Sequence, residues 1–81
     1  MKEKVLGEFT KNAQEKVVVQ FVIFNSHPLL DIRVYAKSEN QFVPTKKGIS
    51  IPFSRVGELK VFVNDADEEI GRLGSIVGQT Q

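Results

Sequence analysis

The chain contains no cysteine and no tryptophan, and only one histidine, one tyrosine and one methionine among its 81 residues. Without cysteine there is no disulfide, no thiolate nucleophile and no zinc site of the cysteine-rich kind. Nucleophilic catalysis needs a base beside a hydroxyl or thiol, and the single imidazole, His27, stands next to Pro28 in a turn-forming stretch. His27 reads as a surface turn residue and the chain as non-enzymatic. No strand–glycine-rich loop–helix fingerprint of a nucleotide site is present, so no cofactor is expected. Asp65, Asp67, Glu68 and Glu69 lack the glycine-punctuated loop of a calcium hand, and they read as a solvated helix face rather than a metal site. No run approaches the roughly 18 apolar residues of a membrane span, and Met1-Lys2-Glu3-Lys4-Val5 has no apolar signal stretch. An intracellular chain with no membrane partner is the expectation.

What is there is enough for one small domain, with 41% hydrophobic residues across the 81. The reading places that domain over residues 1–77, followed by a flexible tail over 78–81. A chain this size buries only about 60 to 65% of its unfolded surface, so a homodimer would relieve a thin core. The net charge is only +1, but residues 1–54 hold eight basic against five acidic residues, and residues 55–81 hold three against five. A polyanion should therefore meet the first part of the chain.

That first part reads as strands. Val5 to Thr10 is a weak candidate, followed by a polar stretch. Lys16 to Phe24 is stronger, because Val17, Val19, Phe21 and Ile23 make one phase wholly apolar while Lys16, Gln20 and Phe24 occupy the other. Leu29 to Lys37 alternates over nine residues. Leu30, Ile32, Val34 and Ala36 face one way, and Asp31, Arg33, Tyr35 and Lys37 the other. Asn25-Ser26-His27-Pro28 and Ser38-Glu39-Asn40-Gln41 supply turns. Phe42 to Phe53 is a fourth strand, in which Pro44 and Gly48 imply an edge position or a bulge.

From Ser54 the period changes from two to seven. Val56, Leu59, Val63, Ala66, Ile70, Leu73 and Val77 fall at alternating spacings of 3 and 4, the pattern of a helix-packing seam. Ser54 is the expected N-cap, with Glu58 in the first turn favoured by the helix dipole. Gly71 and Gly74 predict an end near Leu73, and a break near Asn64 is a further expectation. The fold class is thus α+β: a curved four-stranded antiparallel sheet followed by a C-terminal helix. The expectation is that one sheet face packs on this helix. The other, carrying Lys16, Phe24, Arg33, Tyr35 and Lys37, is left uncovered.

Aromatic rings stack on any base while Lys and Arg bind phosphates, so aromatics interleaved with cations on an open sheet fit single-stranded nucleic acid. Thr45-Lys46-Lys47-Gly48 adds a basic segment to that face. A protein-interaction module whose basic sheet face docks an acidic partner is the alternative.

Three segments carry a resemblance: Leu30-Asp31-Ile32-Arg33-Val34-Tyr35, then Pro44-Thr45-Lys46-Lys47-Gly48-Ile49-Ser50-Ile51, then a helix ending Ala66-Asp67-Glu68-Glu69-Ile70-Gly71-Arg72-Leu73. Over residues 4–73 the chain resembles the positive cofactor four family, transcriptional coactivators with a single-stranded-DNA-binding domain. The resemblance implies a homodimer whose paired sheets make grooves for single strands. Its DNA-binding positions correspond to Phe24, Arg33, Lys46 and Lys47, and the residue reading adds Lys16, Tyr35 and Lys37. The family's stacking tryptophan, three residues after the arginine, is Ala36 here, with Tyr35 as the expected substitute. The dimer interface expected from the seam is Val56, Leu59, Val63, Ala66, Ile70 and Leu73. The expected partners are single-stranded DNA and a second copy, with RNA and transcription or replication proteins as further candidates. The process served is transcription, replication, recombination or repair. The chain lacks a long Ser- and Lys-rich regulatory tail, as expected of a bacterial or phage member, located in the cytoplasm or nucleoid. A eukaryotic member would be nuclear.

Overall fold

The computed structural model describes residues 2–77. Four strands, β1 (Lys4–Asn12), β2 (Glu15–Phe24), β3 (His27–Ser38) and β4 (Gln41–Pro52), form one sheet in the order β1-β2-β3-β4, every neighbour antiparallel. A 3-10 turn (Phe53–Arg55) leads into α1 (Val56–Val77). Residues 78–81, read from sequence as a tail, lie outside the described residues.

Each hairpin closes on two residues. Asn25 and Ser26 have φ of 50° and 68°, and Glu39 and Asn40 have φ of 50° and 70°, the doubly left-handed turns whose twist matches that of the strands they join. His27 and Pro28, expected in the first turn, begin β3 instead. At the β1–β2 turn the Asn12 side-chain oxygen accepts the Gln14 N–H at 2.9 Å, closing the chain locally.

β4 is both an edge strand and bulged, as its proline and glycine imply. Arg33 opposes Gly48 and Tyr35 opposes Pro44, so residues 45–47 face Val34 alone. The Thr45 hydroxyl donates to the Val34 carbonyl at 2.7 Å and accepts the Lys47 N–H at 3.1 Å, which pins the bulge. Gly48 makes the return to regular pairing feasible. Its φ is +156°, and a Cβ there would stand 2.5 Å from the Ile32 carbonyl oxygen and 2.9 Å from the Arg33 Cα.

The two sheet faces differ from the expectation. The face carrying Lys16, Val18, Gln20, Asp31, Arg33 and Tyr35 is the better covered: Val18 is 4% exposed and Asp31 5%. It covers itself. The Lys16 ammonium lies 2.6 Å from Glu8 on edge strand β1 and 4.7 Å from the centre of the Phe42 ring on edge strand β4. In a flat sheet those strands would be about 14 Å apart, so the sheet curls around this face. The opposite face, expected beneath the helix, is closed around Leu30, which is 7% exposed, but open elsewhere, with Ile49 57% and Ile23 39% exposed.

α1 does not lie on its own sheet. It rests on the chain chiefly through the 3-10 turn at its base, where Val56 joins Phe21 and Phe53 around a shallow apolar hollow, the two rings 5.1 Å apart. Leu59 is half-buried beyond it, and Val63, Ala66, Ile70 and Leu73 are exposed. Ser54, expected as the N-cap, lies inside the 3-10 turn. Glu58 is in the first turn as expected, and Arg55 donates to it at 2.8 Å. The helix continues unbroken past Asn64 and Leu73 to Val77, in spite of Gly57, Gly71 and Gly74. Val18 and Leu30 are the only buried apolar side chains among the described residues, so the core of a single copy is thin.

Candidate functional site

The seven residues singled out for nucleic-acid contact fall into three places. Lys16, Arg33 and Tyr35 belong to the curled face and have partners there. Arg33 donates from Nε and Nη2 to the two Asp31 carboxylate oxygens at 3.1 and 2.8 Å, and from Nη1 to the Thr45 carbonyl at 3.1 Å. The bidentate pair lies within β3, and the Thr45 bond ties it to the bulge of β4. Ser50 Oγ donates to Asp31 at 2.8 Å, completing a cluster of Asp31, Arg33, Thr45 and Ser50 packed against the bare backbone of Gly48. The Asp-Ile-Arg and Gly-Ile-Ser pieces of the resemblance are thus one physical unit. Asp31 is held below the ordinary carboxylate range, chiefly by the Arg33 hydrogen bonds, and Asp31 raises the Arg33 guanidinium in return. Tyr35 is half-buried, its hydroxyl accepting from the Gln20 amide at 3.2 Å.

Phe24 is alone at the far end. It is 65% exposed beside the β2–β3 turn, eight residues along β2 from Lys16, about 26 Å away. The structure does not bring it together with the other candidates.

Lys37, Lys46 and Lys47 are exposed at the end of the sheet that holds the β1–β2 and β3–β4 turns. Lys37 anchors that end through its backbone N–H, which donates to the Gln14 carbonyl at 2.8 Å. Lys47 extends over the open face, where its ammonium lies 3.5 Å from Glu15. The same carboxylate meets Lys11 at 3.3 Å, so one acid on β2 bridges a lysine from each edge strand. Asn12 also donates to Glu15 at 3.0 Å, and this bond, with those from Lys11, holds the carboxyl below its ordinary value. Lys11 and Glu15 were missed in the sequence because neither stands out from a polar stretch. Placing the turn at Ala13-Gln14 fixes their phase, and that phase puts both on the face of Val17.

The arrangement is a basic rim on one end of an open, mostly apolar sheet face, and the described residues contain no group of three or more His, Cys, Asp or Glu side chains that could hold a metal ion. Residues 11–61, more than half of the chain, match the family described as transcriptional coactivator p15 (PC4). The chain belongs to this family. The matched span contains the whole Asp31–Arg33–Thr45–Gly48–Ser50 cluster and the lysine bulge.

Solved PC4 structures share the fold. A PC4 homolog from Burkholderia pseudomallei, in its orthorhombic crystal form, is 22% identical with a TM-score of 0.75, over 84% of this chain and 93% of that one. The bacteriophage T5 homolog of the eukaryotic coactivator PC4, implicated in recombination-dependent DNA replication, is 15% identical with a TM-score of 0.59, over 99% and 100%. MoSub1, solved in complex with single-stranded DNA, is 18% identical with a TM-score of 0.59, over 83% and 78%. No curated protein sequence matches the chain.

Proposed function

We propose that this PC4-family chain is a non-enzymatic homodimer that binds single-stranded or locally melted DNA with little sequence preference, in transcription, replication, recombination or repair. The observation that carries the reading is the Lys46–Lys47 bulge. Two adjacent cations project from an edge strand on a backbone locked by Thr45 and Arg33, so little side-chain-independent entropy is lost when phosphates bind. Lys37 and Lys11 extend the basic rim around the same end of the sheet. In this reading Lys16, Arg33 and Tyr35 hold the curled face in shape, and the phosphates meet Lys37, Lys46 and Lys47. The PC4 homolog of phage T5 and the DNA complex of MoSub1 support the direction of the reading.

The open face divides along its length in a way that suits both activities. Toward the β2–β3 turn it is mainly apolar, with Phe21, Ile23, Leu30 and Ile51 near the base of α1. A second copy would cover that half. Toward the other end, Lys11, Glu15 and Lys47 make it polar, and that half stays open to DNA. An intracellular location follows from the function, and no helix among the described residues is long and apolar enough to cross a membrane.

Fluorescence anisotropy with a labelled single strand and with a duplex of the same length tests the reading. Tight binding of the single strand, weaker binding of the duplex and near-indifference to base composition are expected. Preference for one duplex sequence would refute it.

A further inference from the structure

We infer that Phe9 is a base-stacking platform of this chain. The inference rests on the proposed binding of single-stranded DNA and adds a residue to it.

Strand register places the ring. Phe9 on β1 pairs with Val17, and Val17 pairs with Val34, so all three project from the open face. Glu15 pairs with Ala36 in the next row of the same face. Phe9 is 61% exposed, although an aromatic ring on a strand normally finds cover. The basic rim lies to one side of it: Lys11 stands two residues along the same strand, and Lys47 reaches from the opposite edge to the Glu15 carboxylate that Lys11 also meets. Val17, Val34 and Ala36, all small or branched and half-buried, make a low floor between ring and lysine.

The chemistry of the occupant follows from this juxtaposition. A flat apolar ring beside a pair of ammonium groups suits a ligand with a planar aromatic unit and an anionic backbone in regular succession, which describes a single nucleic-acid strand. Duplex DNA, whose bases are stacked inward, presents only phosphates to such a surface. Tyr35 is a weaker platform, since it points to the curled face and its hydroxyl is bound by Gln20.

The chain's lack of tryptophan makes the test direct. Phe9→Trp introduces a lone indole, and its emission is followed as an oligothymidine is added to the folded protein. Strong quenching with stoichiometric binding is expected, together with its loss when the oligonucleotide is replaced by an abasic strand of equal charge. In parallel, Phe9→Ala should weaken binding of the oligothymidine by roughly 5- to 150-fold with the salt slope unchanged, whereas Lys47→Ala should lower the slope. Two failures are distinguishable. If the parent protein does not bind single strands, the function proposed above falls. If the parent binds and Lys47→Ala lowers the slope, while Phe9→Ala binds like the parent or the Phe9→Trp emission is indifferent to bases, the stacking role alone is overturned. Should Phe9→Ala convert a dimer to monomers, the ring belongs to an interface between copies, which also overturns it. Because the Phe9→Trp reading is taken on folded protein, instability of Phe9→Ala leaves the test intact.

Discussion

At the scale of single residues, the most consequential finding is that Arg33 is a structural member of the fold. Its fork grips both oxygens of Asp31, and its third hydrogen bond reaches the Thr45 carbonyl in the bulge that carries Lys46 and Lys47. An acid held below its ordinary pKa binds fewer protons folded than unfolded. The stability that Asp31 contributes is therefore present at neutral pH and is lost as pH falls below about 4 and through its depressed folded value. Asp31→Asn should cost about 2 kcal/mol at neutral pH, and the gap between variant and parent should close as the solution is acidified. Thermal melts across the acid range check this, and a gap that stays constant with pH would contradict it. Glu15 carries a prediction of the opposite sense for binding. It neutralises Lys11 and Lys47, the cations that the proposed site offers to phosphates. Glu15→Gln should tighten single-strand binding by up to about fivefold and steepen its salt dependence, as measured by anisotropy titrations at several salt concentrations. Unchanged or weaker binding would show that these lysines do not meet DNA.

At the scale of elements, the alternation of residues 16–37 made strands β2 and β3 and their two faces legible, and the Pro44 and Gly48 pair marked β4 as edge and bulge. The seven-residue period after Ser54 likewise revealed the helix. Which face would be covered was not legible. Periodicity separates two faces but does not report curvature, and here the curl lets Lys16, Glu8 and Phe42 close over the face that looked polar. The expectation that the helix covers the sheet follows from periodicity alone, which offers no other cover for either within one chain. Its exposed seam points to a second chain. A helix of this length spans about 33 Å, and most helical stability in proteins comes from packing of an apolar face rather than from propensity. Val63→Lys combined with Ile70→Lys should therefore yield monomeric or unfolded protein and abolish DNA binding, with light scattering and circular dichroism as the readouts. A folded dimer in the double variant would place the interface elsewhere. The candidate site was legible only in part, because Lys46 and Lys47 announce themselves as a basic pair, whereas Phe9, Lys11 and Glu15 acquire meaning from a register set by the Ala13-Gln14 turn.

At the scale of the whole molecule, the described chain is a flattened body of 46 × 37 × 18 Å, with two buried apolar side chains and thirteen large ones exposed. Such a body has more apolar surface than a stable monomer of its size normally leaves to water. Its charge is arranged to match. The basic excess lies on the sheet, while Asp65, Asp67, Glu68 and Glu69 stand on the exposed helix and keep a polyanion away from it. Pairing two copies through helices and the apolar half of each sheet would leave two basic ends facing outward, each able to take a strand. The central claim, that the bulge lysines bind phosphates of a single strand, is tested most directly by the slope of log affinity against log salt for the parent, Lys46→Ala and Lys47→Ala. Each lost phosphate contact should reduce the slope by roughly 0.7 for single strands, equally for every base composition, with melting temperatures unchanged. Parent-like slopes in both variants would contradict the account.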